Sequence, residues 1–138
     1  MKKKVLFLCT ANSCRSQMAE GIANHFLGDM LEAASAGTGA SSVNPRAIAV
    51  LREIGIDISN HHSKNMDEFV GQSFDYVITL CGDANEKCPL FFGGVQRTHL
   101  GFPDPMKVVG CEEEILSAFR RVRDEIRDAL LAFFAPKG

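Results

Sequence analysis

The stretch from Lys4 to Leu27 constrains the fold more than any other part of the chain. Residues 4–10 read Lys-Val-Leu-Phe-Leu-Cys-Thr, a short apolar run suited to a parallel strand buried on both faces. From Arg15 the pattern changes. Met18, Ile22 and Phe26 recur every fourth residue, giving one apolar face of a helix that reaches Leu27, with Gly28 as its stop. Glu32 to Ala36 is a weaker strand candidate ending at Gly37. Asn44-Pro45 then supplies a helix cap and a proline at the first helical position, opening a helix through Ile48, Leu51 and Ile54 to Gly55. Residues 74–80 form the clearest second strand, with Cys81 immediately after it, and residues 95–100 suit a short fourth one. From Glu112 a last helix carries Ile115, Phe119, Val122, Ile126, Leu130 and Phe133 on one side, with charges opposite.

Strands alternating with helices predict a single three-layer α/β domain over residues 1–138, a four-stranded parallel sheet with helices on both faces. Ligands of such sheets bind beyond the carboxyl ends of the strands. Cys9 and Cys81 each close a strand, so both are expected at one edge of the sheet.

Bulk properties exclude several classes of function. Hydrophobic residues make up 46% and charged residues 23%, the profile of a soluble globular protein. Fifteen basic and 17 acidic residues are mixed along the chain, so no basic stripe favours nucleic acid or an anionic membrane. The start, Met1-Lys2-Lys3-Lys4 before Val5 to Leu8, is too short in its apolar part for an export signal. No stretch approaches the roughly 20 apolar residues of a membrane span. A cytoplasmic protein is expected, in which Cys9, Cys14, Cys81, Cys88 and Cys111 do not form a disulfide framework. Composition leaves them open as buried, catalytic or metal-binding thiols.

Residues 9–16 read Cys-Thr-Ala-Asn-Ser-Cys-Arg-Ser, five residues between a cysteine and an Arg-Ser at the opening of a helix. Such a loop can wrap the backbone N–H groups of Thr10, Ala11, Asn12, Ser13, Cys14, Arg15 and Ser16 around a tetrahedral anion, and the helix N-terminus adds positive potential. Arg15 offers a planar fork matched to two oxyanion oxygens. The same environment favours the thiolate of Cys9, which makes it the candidate nucleophile, and Ser16 is placed to donate a hydrogen bond to that thiolate. Cys14, inside the loop, reads as a packed residue.

This arrangement, with Ser-Gln-Met-Ala-Glu-Gly from Ser16 to Gly21, resembles the low-molecular-weight protein tyrosine phosphatase superfamily. A second stretch narrows the resemblance. In Thr79-Leu-Cys-Gly-Asp-Ala-Asn-Glu-Lys-Cys-Pro89, six residues that include Gly82 separate Cys81 from Cys88, and a loop of that composition can bring its ends within disulfide distance. A phosphatase has no need of this pair. Reduction of arsenate takes two electrons, which two thiols supply on becoming a disulfide. The chain is similar, nearly end to end, to the thioredoxin-coupled arsenate reductases of that superfamily. Matching stretches include 9–21, Ser-Ala-Gly at 35–37, Val-Asn-Pro at 43–45, Gly-Ile-Asp-Ile-Ser at 55–59, 79–89, Gly-Phe-Pro-Asp-Pro at 101–105 and 119–126.

The resemblance implies a low-molecular-weight phosphatase-like fold and a thiol relay. Cys9 attacks arsenate held by the loop and Arg15, and Asp104 protonates the departing oxygen. Cys81 then attacks Cys9 and arsenite leaves. Cys88 attacks Cys81, and thioredoxin reduces the Cys81–Cys88 disulfide. Locally, Asp104 between Pro103 and Pro105 suits either a stiff surface turn or a fixed carboxyl, and the family match selects the acid.

No bound cofactor is implied, with reduced thioredoxin as electron donor and a monomer sufficient. Some relatives carry a potassium site that maps onto Asn12, Glu20, Ser35 and an acidic residue at position 64. Here position 64 is Lys64, and an ammonium among the ligands opposes a cation. The histidines at 25, 61, 62 and 99 show no metal-ligand spacing, zinc on Cys81 and Cys88 lacks the short spacing structural sites prefer, and Cys111 is assigned no role. A competing reading is a phosphatase using Cys9, Arg15 and Asp104, against which Asp104-Pro105 is followed by Met106-Lys107 rather than tyrosines. A third is a thiol-based arsenite or metal sensor, for which no recognition helix or second domain is visible.

Overall fold

The computed structural model describes residues 2–9, 14–37, 42–69, 72–80 and 96–134. Four strands, β1 (Lys3–Cys9), β2 (Leu31–Gly37), β3 (Tyr76–Thr79) and β4 (Gln96–His99), form one sheet in the order β2-β1-β3-β4, every pair parallel. Val5 to Cys9 are all buried, as an apolar run flanked by strands on both sides requires. The weak strand candidate at 32–36 is a full strand because β1 dictates it. Its seven residues pair in register from Lys3 opposite Leu31 to Cys9 opposite Gly37.

Three α-helices are described: α1 (Arg15–Phe26), α2 (Pro45–Arg52) and α3 (Glu112–Phe133). All three contribute to the core on the sheet face that carries Val5, Phe7, Ala33 and Ile78. Leu6, Leu8, Ala36 and Val77 point to the other face, where Phe74 and Phe69 of the 3-10 turn Met66–Phe69 pack. Asn44 caps α2 by accepting from Arg46 N at 2.8 Å, as its sequence suggests. The chain leaves α2 through Gly55 at φ +83, a left-handed position that glycine adopts without a steric penalty.

Two side chains depart from the sequence pattern. Phe26, expected on the buried stripe of α1, is 42% exposed because the helix ends there, and Leu27 turns inward instead. Arg123, expected among the charges on the outer side of α3, is buried in the seam against α2. Gly21 has a packing reason. A Cβ there would lie 2.7 Å from Ile58 Cγ2, so only glycine lets α1 approach the segment after α2 this closely.

Candidate active site

The sheet order places β1 between β2, reached by one crossover, and β3, reached in the opposite direction. That reversal is the switch point at which parallel α/β sheets open a crevice beyond their strand ends. Cys9 is the last residue of β1 and is buried. Leu8 pairs with Thr79, and Leu80 N donates to Leu8 O at 2.9 Å, so β3 ends beside it. Thr10, Ala11, Asn12 and Ser13 of the expected oxyanion loop lie outside the described residues, as do Cys81 and Cys88.

The described end of that loop is Cys14, from which α1 begins. Cys14 makes no side-chain cap hydrogen bond, and the first turn of α1 holds no acidic residue. Among the described residues the electropositive end of the helix is therefore left for another acceptor. Burial, first of all, then the negative charge of Asp104, push the Cys14 thiol up to about 12, against the lowering effect of Arg15. Cys14 is held as a neutral thiol, which agrees with its reading as a packed residue.

Arg15 links three parts of the chain. After β4 the backbone turns back over β3, with Phe102 N donating to Leu80 O at 3.4 Å, and Arg15 Nη1 donates to Phe102 O at 3.0 Å. Arg15 Nη2 stands 3.6 Å from Asp104 Oδ2. Asp104 Oδ1 accepts from Met106 N at 2.9 Å, which fixes the carboxyl at the start of the 3-10 turn Pro105–Lys107. The Asp-Pro sequence thus does hold a carboxyl in place, and it faces Arg15. Arg15 Nε is buried with no hydrogen-bond partner among the described residues. A buried N–H of a guanidinium without an acceptor costs on the order of 1–3 kcal/mol, which leaves this donor available to an acceptor from outside the described residues.

A second cluster lies behind α1. Glu20 Oε1 accepts from Ser35 Oγ at 2.7 Å, its Oε2 lies 3.4 Å from His61 Nε2, and Lys64 Nζ approaches Oε1 to 3.9 Å. Gln17, fully buried, donates to His62 O at 3.0 Å and accepts from His61 Nδ1 at 3.0 Å. His61 and Gln17 were invisible as members of this cluster in the sequence, since 44 positions separate them. Ser35 and Glu20 do meet as a pair of oxygen ligands would, with Asn12 outside the described residues. Lys64 fills the place of the acidic ligand, so the set does not fit potassium. Among the described residues no group of three or more His, Cys, Asp or Glu could hold a metal. No described helix is long and apolar enough to cross a membrane.

A strand-ending cysteine, an arginine opening the next helix and an aspartate on a proline turn make up the candidate site on this parallel sheet. Residues 4–136 match the family described as low molecular weight phosphotyrosine protein phosphatase, and the chain belongs to that family. It is 50% identical over 134 residues to an arsenate reductase of Bacillus subtilis, covering 96% of each chain. It superposes on an arsenate reductase solved in a phosphate-binding state with a TM-score of 0.78, at 34% identity over 98% of each chain. It is also similar to a thioredoxin-dependent arsenate reductase of Corynebacterium glutamicum, with a TM-score of 0.68 and 29% identity, over 95% of this chain and 61% of that one.

Proposed function

We propose that this chain reduces arsenate to arsenite, with Cys9 as nucleophile and thioredoxin as the source of electrons. The observation that carries the reading is the buried Arg15 Nε, which has no acceptor among the described residues, beside a helix end that no described side chain caps. Relatives at half identity along nearly the whole chain bear the name arsenate reductase, and this supports arsenate over a phosphoester. The site residues are Cys9, Arg15, Asp104, Cys81 and Cys88, with the backbone of residues 10–16 as the anion cradle.

Each step balances. The Cys9 thiolate adds to arsenic(V), an As–S bond forms, and one arsenate oxygen leaves as water with a proton from Asp104. Arg15 holds the remaining oxygens through two planar donors. The Cys81 thiolate then attacks Cys9 Sγ. A Cys9–Cys81 disulfide forms, the As–S electron pair stays on arsenic, and arsenite departs as arsenic(III). Cys88 displaces Cys9 from Cys81, and two electrons from reduced thioredoxin cleave the Cys81–Cys88 disulfide. The same first step would give residual phosphatase activity.

The chain works as one domain spanning residues 1–138, monomeric, in the cytoplasm, with no nucleic-acid or membrane partner. The deciding experiment couples arsenite release to NADPH oxidation through thioredoxin and thioredoxin reductase, set against phosphoester hydrolysis by the same preparation. Cys9→Ser should abolish both activities, and Cys88→Ser should stop after one turnover with a Cys9–Cys81 disulfide that peptide mapping detects. Sustained turnover by Cys88→Ser would end the relay as written.

A further inference from the structure

The Glu20 cluster carries an inference that does not depend on which oxyanion the site takes. Glu20 lies on α1, five residues after Arg15, and its side chain is 12% exposed. A carboxylate so removed from water needs compensating charge or donors. Ser35 Oγ supplies one hydrogen bond. Lys64 supplies a full charge at 3.9 Å from Oε1, and its own side chain is only 14% exposed, unusual for a lysine. The ammonium is held from the far side too, since Nζ donates to His62 O at 3.1 Å. Its backbone is anchored to the strand that bears Ser35. Gly37 N donates to Lys64 O at 2.8 Å, and Gly37 bridges to Asn65. His61, on the other oxygen of Glu20, is locked to Gln17 of α1.

We infer that the Lys64 ammonium is a built-in monovalent cation, which ties α1 to β2 and to the segment 61–65 whatever the salt in solution. A Glu20 carboxylate oxygen and the His62 carbonyl face the ammonium, and Ser35 Oγ binds that same Glu20 oxygen, so the positive charge is delivered on a side chain. A dissolved potassium ion would meet that ammonium at the Glu20 carboxylate. Lys64 is a positioning residue, acting on α1 through Glu20.

The test measures thermal unfolding and arsenate kinetics in sodium and in potassium chloride at equal ionic strength, because screening alone alters both charge pairs and anion binding. The wild type should show the same Tm and the same KM for arsenate in the two salts. Lys64→Gln should lower Tm by about 3 °C in sodium, the scale of one lost partly buried charge contact. It should also regain part of that shift in potassium. Lys64→Asp restores an acidic ligand and should respond more strongly, with Tm as the readout that stands even if arsenate proves not to be the substrate. A wild-type Tm that rises in potassium and not in sodium overturns the inference. So does a Lys64→Gln protein as stable as the wild type in both salts.

Discussion

Two arginines, Arg15 and Arg123, have side chains almost equally withdrawn from solvent and are differently provided with partners. The Arg123 side chain, 10% exposed, donates from Nη1 to Val50 O at 2.8 Å and to Glu53 Oε1 at 2.9 Å, and from Nε to Asp124 Oδ1 at 2.9 Å. Arg120 shares Glu53, and its hydrogen bonds hold that carboxyl below the usual carboxylate range against the raising effect of burial. The Arg15 side chain, 12% exposed, has one carbonyl at 3.0 Å, a carboxylate at 3.6 Å and an Nε with no acceptor among the described residues. One guanidinium joins two helices, with its Nε and Nη1 donors met by the fold. The other keeps donor capacity in reserve. Incomplete satisfaction of a largely buried charge, rather than burial itself, separates the candidate site from the scaffold.

Substituting each arginine should move stability and rate differently. Arg15→Lys keeps the charge and loses the fork. It should lower kcat/KM for arsenate by about 10²–10³, the usual cost of removing one preorganised donor to a developing anion, with Tm nearly unchanged. Phosphate and sulfate, also tetrahedral, should compete with arsenate in the wild type and more weakly in the variant. Unchanged kinetics in Arg15→Lys would remove the arginine from the site.

Arg123→Met retains the aliphatic stem and removes every donor. It leaves Val50 O without its partner and should cost about 2–3 kcal/mol of stability, since one side of a partly buried network is lost. Arsenite release at a temperature where the variant is folded should stay within about twofold of the wild type, as expected of a residue that acts on stability alone. A catalytic loss matching that of Arg15→Lys would mean that the α2–α3 seam positions the site, and the contrast would fail.

The two arginines were not equally legible in the sequence. Arg15 announces itself because its surroundings are local: the buried run of β1, a five-residue interval and a helix start, all within about 20 residues. Asp104 is only half legible, since two prolines suit a surface turn as well as a fixed carboxyl; the family resemblance chose between them, and the contact with Arg15 had to come from the fold. Arg123 sits in a run of alternating charges that reads as a solvated helix face, and only packing against α2 shows that it is buried. His61 is the same kind of case. Nothing in a His-His pair signals that one ring will be trapped between Gln17 and Glu20 of a helix more than 40 positions away. Lys64 stood out against the family pattern, and the contact with Glu20 follows from Gly37 fixing the Lys64 backbone.

The smallest effect concerns the other buried thiol of the site. Cys14 lies one residue before Arg15, where proximity to a cation and a helix N-terminus ordinarily favours a thiolate. Here burial and the Asp104 charge win, and the pKa is raised from 9.0 to about 12. A thiol that resists ionisation when folded and ionises at its ordinary pKa when unfolded contributes stability below pH 9. That contribution declines as pH rises from 9 toward 12. Between pH 7 and 9 Cys14 should therefore be neutral and unreactive in the native protein. Brief treatment with iodoacetamide at pH 8, followed by peptide mapping, should leave Cys14 unlabelled while Cys9 is modified, with arsenate or phosphate slowing the modification of Cys9. In urea both should label. Native labelling of Cys14 at a rate equal to that of Cys9 would show that the positive end of α1 outweighs burial at that position. The division between one reacting thiol and one packed thiol would then have to be withdrawn.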